Sequence, residues 1–163
     1  MIKMTNITIK QFRQKDLEPV KELVHRTIDI CYSAAYPAEA IQYFKKFHSE
    51  ENIMEDAING YTVIMGLDGN IIGTGTIIDS HIKRVFVEPK FQKQGFGKMI
   101  MGHLEEKARD CGIKTIQLDS SNVSKKFYED IGYITVKDTF ITLENNQRLD
   151  YYEMEKTTKL DKK

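Results

Sequence analysis

Apolar residues recur along this chain at two spacings, and each change of spacing marks a boundary between elements. In "TNITIKQF", Ile7 and Ile9 alternate with polar neighbours, which predicts a strand. From Asp16 the spacing lengthens: Val20, Val24, Ile28 and Cys31 fall on one helical stripe, with Asp16 as the cap and Pro19 in the first turn. "AEAIQYFKKF" after Pro37 predicts a second helix, and Ser49 is placed to cap a short third one through Ala57. Then "GYTVIMGL", Asp68-Gly69-Asn70 and "IIGTGTIID" read as a hairpin, because Asp-Gly supplies the positive φ angles of a tight turn. "HIKRVFV" is a further strand.

Phe96, Ile100, Leu104, Ala108 and Cys111 return to helical spacing until Gly112. "KTIQLDS" is a strand. In "VSKKFYEDIGY", Val123, Phe127 and Ile131 share one face of a helix, which leaves Tyr128 turned ~100° away from that face. "YITVKDTFITL" and "RLDYYEME", joined at Glu144-Asn145-Asn146, close the pattern as two strands. The order gives one α/β (α+β) domain over 1–156, with 157–163 expected to fray as a polar tail.

Composition narrows the function classes. Twenty-four basic and 24 acidic residues cancel, which argues against a nucleic-acid binder driven by bulk charge. The polar start "MIKMTNITIK" has no apolar core of a secretory signal, and no run reaches the length of a membrane span, so a cytoplasmic protein with no membrane partner is expected. Cys31 and Cys111 lack metal-ligand spacing and lie in helical patterns, so small buried side chains are expected and no metal is predicted. His25, His48 and His103 likewise stand alone, without ligand spacing, and are expected to be structural or exposed.

The remaining signal is "VFVEPKFQKQGFGKM". A strand ends at Glu88-Pro89, and two glycines lead directly into a helix. Glycine admits close approach to the backbone, and the first amides of a helix lack internal partners and carry the positive end of its dipole. Together they suit a phosphate. Two familiar phosphate loops fail here. The dinucleotide fingerprint needs a small residue at Ile100, and the nucleoside-triphosphate loop needs Gly at Gln92 and a hydroxyl at Met99.

Gln92-Lys93-Gln94-Gly95-Phe96-Gly97 instead fits [RQ]-x-x-G-x-[GA]. With the later "LDSSNVSKKFYEDIGY" and the closing "YYEMEK", it resembles the GNAT superfamily of acetyl-CoA-dependent N-acetyltransferases over nearly the whole chain. The resemblance implies a mixed, mostly antiparallel sheet of about seven strands flanked by helices. It implies that the backbone of Gln92, Lys93, Gln94, Gly95, Phe96, Gly97 and Lys98 holds the pyrophosphate of acetyl-CoA. It also implies that Val85, Phe86 and Val87 face the pantetheine arm, the Val87 amide donating to the thioester carbonyl. Tyr128 matches the tyrosine that the family places near the departing sulfur. Asn122 and Lys126 are further cofactor candidates, and Ser120 and Ser121 can cap the same helix.

A base for the acceptor amine is sought at Asp79, His81 or Glu88, which bracket the central strand. Tyr32 and Tyr36, with Tyr43 and Phe44, are the candidates for an acceptor pocket. No Ser-His-Asp or Cys-His pattern is visible, so direct transfer in a ternary complex is expected. The alternatives are a non-catalytic acyl-CoA sensor on the same fold and a nucleotide protein that uses the glycine loop differently. A homodimer through the late strands is what the resemblance allows. The acceptor, small molecule or peptide, stays open.

Overall fold

Asp68 (φ 51°) and Gly69 (φ 85°) make the tight turn that the sequence predicts, and strands Tyr61–Leu67 (β2) and Asn70–Ile78 (β3) pair through it. In the computed structural model, which describes residues 6–158, this hairpin is built into a seven-stranded sheet. The other strands are Ile7–Gln11 (β1), His81–Val87 (β4), Thr115–Ser120 (β5), Ile134–Thr142 (β6) and Arg148–Thr157 (β7). Their order across the sheet is β1-β2-β3-β4-β5-β7-β6. Every neighbouring pair is antiparallel except β4 with β5. The mixed, mostly antiparallel sheet flanked by helices is thus the expected one.

Helices cover both faces. Phe96–Asp110 (α4) lays Phe96, Ile100, Met101, Leu104 and Ala108 against Val63, Met65, Ile72 and Ile116. On the other face Leu17–Cys31 (α1), Ala38–Phe47 (α2) and Glu50–Asn59 (α3) enclose Val20, Val24, Ile28, Ile53, Ile64 and Phe86. Ile100 and Leu104 are 0% exposed, and burying such a side chain fully is worth about 1.5–3 kcal/mol. Ser49 caps α3 as expected, its Oγ accepting from the Asn52 amide at 3.2 Å. No helix among the described residues is long and apolar enough to cross a membrane.

Four expectations change. Asp16 does sit at the start of α1, but its carboxylate accepts from the Arg13 amide at 2.8 Å, closing a short 3-10 turn that precedes the helix. Cys31 is only half-buried and Cys111 is exposed, because the apolar stripes of α1 and α4 end just before them. In the short helix Lys125–Asp130 (α5) the buried residue is Tyr128, whereas Val123 is exposed. A six-residue helix buries the side chain that its flanking turns aim inward, which periodicity does not register. The chain also stays ordered beyond 156: Thr157 ends β7, and the Thr158 hydroxyl donates to Ile113 O at 2.7 Å. Residues 159–163 of the expected tail, and 1–5 of the expected domain, lie outside the described residues.

Candidate active site

The two parallel strands are joined at only two positions, His81 with Gln117 and Ile82 with Leu118. Beyond them β4 and β5 separate. The cause lies on the other edge of β4. Thr76 pairs with Lys83 and Thr74 with Phe86, so Arg84 and Val85 together face the single residue Gly75. One extra residue on β4 makes a bulge, Arg84 taking φ 57°, and a bulge bends its strand. The departure of β4 opens the middle of the sheet.

That opening leaves backbone groups without sheet partners. Phe86 and Glu88 bond to β3, the Glu88 amide donating to Ile72 O at 2.8 Å, so the Val87 amide and carbonyl point to the open side. The Val87 carbonyl accepts from Gln92 Nε2 at 2.9 Å. The Val87 amide faces the cleft.

After β4, Pro89–Phe91 forms a 3-10 turn, Lys93 takes φ 63°, and Gly95 takes φ 89° as the cap of α4. The first α4 amide to bond backwards is that of Met99, to Gly95 O at 3.1 Å. The amides of Phe96, Gly97 and Lys98 come before it and have no partner in the helix. Gly97 is needed for a second reason. A Cβ there would stand 3.1 and 3.2 Å from ring atoms of Phe127, so α4 and α5 approach one another only because that atom is missing. The residues therefore fit a diphosphate: three free amides at a helix start, with Lys93 and Lys98 beside them on the cleft wall.

Two cavities flank the open part of β4. One, of about 510 Å³, runs from the glycine loop along Val87 and Phe127. The other, of about 280 Å³, lies between α2, β4, β5 and the β6–β7 hairpin. Both are lined by Tyr32, Val85, Phe86, Ser124 and Tyr128, so they meet at that point. Tyr128 is 7% exposed and packs edge-on against Phe127 and Tyr133. Burial pushes its phenol well above the usual range, and among the described residues its oxygen has no hydrogen-bond partner.

Other candidate residues are dispersed. Of those proposed for the cofactor, Phe96 points its side chain into the core at 2% exposure, and Gln94 is exposed outside the cleft wall. Gln92 folds back onto Val87, as described. The Asn122 amide donates to the Tyr36 hydroxyl at 2.8 Å, and Lys126 pairs with Asp130 at 3.3 Å. Tyr36 thus serves the α5 approach, while Tyr32, Tyr43 and Phe44 do line the smaller cavity. Among the base candidates, His81 lines that cavity, its Nε2 3.7 Å from Asp119 Oδ2. Glu88 is held in a two-point ion pair with Arg26, and Asp79 sits in the β3–β4 turn. Neither lines either of these two cavities.

Sequence reasoning missed a polar cluster on the cavity wall. Arg84 donates from Nε to His48 Nδ1 and from Nη1 to Asp56 Oδ2, both at 2.9 Å, and Lys83 Nζ lies 3.1 Å from the same Asp56 oxygen. Burial, and then the Arg84 charge, hold His48 well below its usual pKa, so the ring is neutral. Two consecutive polar residues, Lys83 and Arg84, break the alternation of "HIKRVFV" and were the available signal for the bulge. Asp119, Asp150 and Tyr151, also on this wall, carry no comparable mark in the sequence. Among the described residues no group of three or more His, Cys, Asp or Glu is placed to hold a metal.

Comparison with known proteins gives a consistent result. Residues 32–157 match the family model described as an acetyltransferase (GNAT) domain. A glucosamine 6-phosphate N-acetyltransferase of Trypanosoma brucei brucei is 40% identical over 53 residues, a stretch covering 32% of this chain and 36% of that protein. The fold is shared with a GCN5-related N-acetyltransferase from Rhodopseudomonas palustris at TM-score 0.86 and 18% identity, covering 96% of this chain and 99% of the other. It is shared also with the PaiA N-acetyltransferase of Thermoplasma acidophilum in complex with coenzyme A, at TM-score 0.75 and 21% identity, covering 93% and 98%.

Proposed function

The chain belongs to the GNAT acetyltransferase family and is an acyltransferase, and from that premise we propose that it moves the acetyl group of acetyl-CoA to a primary amine by direct attack in a ternary complex. The observation that carries this reading is the meeting of the two cavities at Tyr128 beside the open edge of β4. The larger cavity fits the coenzyme arm and the smaller fits an amine, so the reacting atoms come together where the two are continuous. That PaiA binds coenzyme A on the same fold supports the assignment of the larger one.

Acetyl-CoA supplies an activated acyl group and a thiol leaving group. The residues of this chain do the rest. The amides of Phe96, Gly97 and Lys98 receive the diphosphate, with Lys93 and Lys98 adding charge. The Val87 amide donates to the thioester oxygen as negative charge builds there, and one such donor is worth about 2.7–4 kcal/mol. Tyr128, kept protonated by its burial, donates to the departing sulfur. The phenol is a weaker acid than a thiol, so the donation stabilises the thiolate without a full transfer of the proton.

The amine must shed a proton. His81 lies six residues before Val87 on β4, a separation of up to about 20 Å at strand rise. It is therefore placed to accept that proton through water along the smaller cavity, with Asp119 Oδ2 3.7 Å from its Nε2. Glu88, committed to Arg26, is not needed in this scheme.

The test is thiol release from acetyl-CoA with a panel of primary amines, with the product identified by mass. Acetylated amine at a rate above spontaneous hydrolysis supports the reading. Tight acetyl-CoA binding with no turnover on any amine would make the protein an acyl-CoA sensor. No acetyl-CoA binding at all would remove the assignment of the cleft.

A further inference from the structure

The smaller cavity has an uneven distribution of charge. At one end Lys83 and Arg84 share the single carboxylate of Asp56, while His48 beside them is neutral. Two positive charges therefore meet one negative. The Arg84 side chain is 1% exposed, and its Nη2 has no hydrogen-bond partner among the described residues. Buried donors are normally satisfied, so the free Nη2 leaves Arg84 with capacity for a partner that the chain itself does not supply. The acids lie at the other end: Asp119, its Oδ2 3.7 Å from His81 Nε2, and Asp150, which pairs with Arg148 at 3.1 Å.

Arg84 borders the cavity, but at 1% side-chain exposure it offers a ligand almost no surface, whereas Lys83 does. It is 28% exposed, lines the cavity, and lies 5.5 Å over the Phe47 ring, where its ammonium retains donors beyond the one used by Asp56. Arg84 shares the same Asp56 oxygen and adds its own charge behind Lys83.

We propose that the acceptor is an amine that also carries a carboxylate, seated at Lys83 with the buried Arg84 charge behind it. The inference rests on the acetyl-transfer reading above and names the substrate class for the same site. One surplus positive charge calls for one negative charge, which a carboxylate supplies. The spacing follows from the strand. Lys83 is three residues from Phe86, where the cavities meet, which is at most about 10 Å of strand. That span admits an amine and a carboxylate set several bonds apart, as in an ω-amino acid.

The experiment compares three acceptors of equal chain length with wild-type enzyme and acetyl-CoA: pentylamine, 5-aminopentanoate and 1,5-diaminopentane. The expected result is a kcat/KM for 5-aminopentanoate about tenfold or more above that for pentylamine, the effect of one charge-assisted contact. The diamine should be poorest. In Lys83→Gln the ratio of kcat/KM for 5-aminopentanoate to that for pentylamine should fall to about one, the change lying in the KM for 5-aminopentanoate. Lys83→Glu should favour the diamine. Pentylamine matching or exceeding 5-aminopentanoate overturns the inference while leaving acetyl transfer standing. If acetyl-CoA binds but none of the three turns over, calorimetry on the coenzyme complex decides: 5-aminopentanoate binding that Lys83→Gln abolishes upholds the subsite, and absence of binding overturns it. Failure of acetyl-CoA itself to bind refutes the earlier reading instead.

Discussion

Replacing Tyr128 by Phe removes a single oxygen from the point where the two cavities meet. The ring is held on its own account, edge-on to Phe127 and Tyr133 and 7% exposed, so Phe should occupy the same space. The lost hydroxyl has no protein partner among the described residues, so no buried group is orphaned and the fold should lose nothing measurable. All of the cost then falls on the reaction. A hydrogen bond to a charged group is worth about 1.5–3 kcal/mol, which for a developing thiolate is a fall in kcat of about 10- to 150-fold. Acetyl-CoA affinity, governed by the amides of α4 and the edge of β4, should stay within about twofold. Because burial keeps the phenol protonated, no loss of activity at mildly alkaline pH should be attributable to Tyr128 in the wild type. Steady-state thiol release, calorimetric titration with acetyl-CoA and thermal melts measure the three quantities. Equal losses in kcat and in coenzyme affinity, or a melting temperature several degrees lower with unchanged kcat, would show that Tyr128 is packing and nothing more.

Gly95→Ala separates conformation from space. A Cβ there meets nothing within 4 Å, but φ 89° is strained for alanine by about 1–2 kcal/mol. The loop should relax away from the coenzyme, so acetyl-CoA affinity falls about tenfold while the melting temperature drops only slightly. Unchanged affinity would contradict the role of the α4 amides. Gly97→Val, by contrast, drives a side chain into Phe127, so α5 and Tyr128 should shift and both affinity and kcat should collapse. Retained activity would mean that the α4–α5 contact does not set the cleft. His48 makes stability depend on pH. Its folded-state pKa lies below the unfolded value of ~6.5, so the unfolded chain binds the extra proton. Stability is complete above that value and declines as pH falls below it, with a slope of at most about 1.4 kcal/mol per pH unit. Denaturant titrations between about pH 5 and 8 should show the slope in wild type and lose it in His48→Gln. His81→Gln should lower kcat at neutral pH by about 100-fold or more if it receives the proton of the amine, the deficit shrinking as alkaline pH deprotonates the acceptor unaided. A constant deficit across pH would exclude that role.

The parts of the molecule that were legible in the sequence are those set by neighbouring residues. Strand alternation, the Asp68-Gly69 turn, the Ser49 cap and the glycine start of α4 are each encoded within a few positions, and the structure holds them. What did not show was decided at a distance. Tyr128 is the buried residue of α5 because the Ser121–Ser124 turn and the Phe127–Gly97 contact fix the rotation of a helix too short to display a stripe. Cys31 looked buried because its helical stripe was continuous, yet α1 ends there and its sulfur lies at the cleft, 3.6 Å from Gln92 Nε2. The Arg84–His48–Asp56 cluster joins residues 28 and 36 positions apart, and no local spacing announces it.

One structural decision links these features. Placing two residues of β4 against Gly75 ends its pairing with β5 after Ile82 and turns Arg84 to the same face as Lys83. The first effect frees the Val87 amide and makes the larger cavity; the second puts the charged cluster on the wall of the smaller one. A sheet paired along its whole length would have neither, since the amide would be consumed by β5 and Arg84 would point to the α4 side. Arg84 is thus an expensive residue at this position, buried, incompletely bonded and in positive φ. Strain of that kind persists where the surroundings impose it and function uses it. Deleting one of the two bulged residues should therefore be more informative than substituting either. The fold has the antiparallel β3–β4 register to fall back on, and a chain that repairs its sheet should melt at a higher temperature while losing both acetyl-CoA binding and acceptor turnover. A deletion variant that kept both would mean that the opening of the sheet has some other cause than the extra residue.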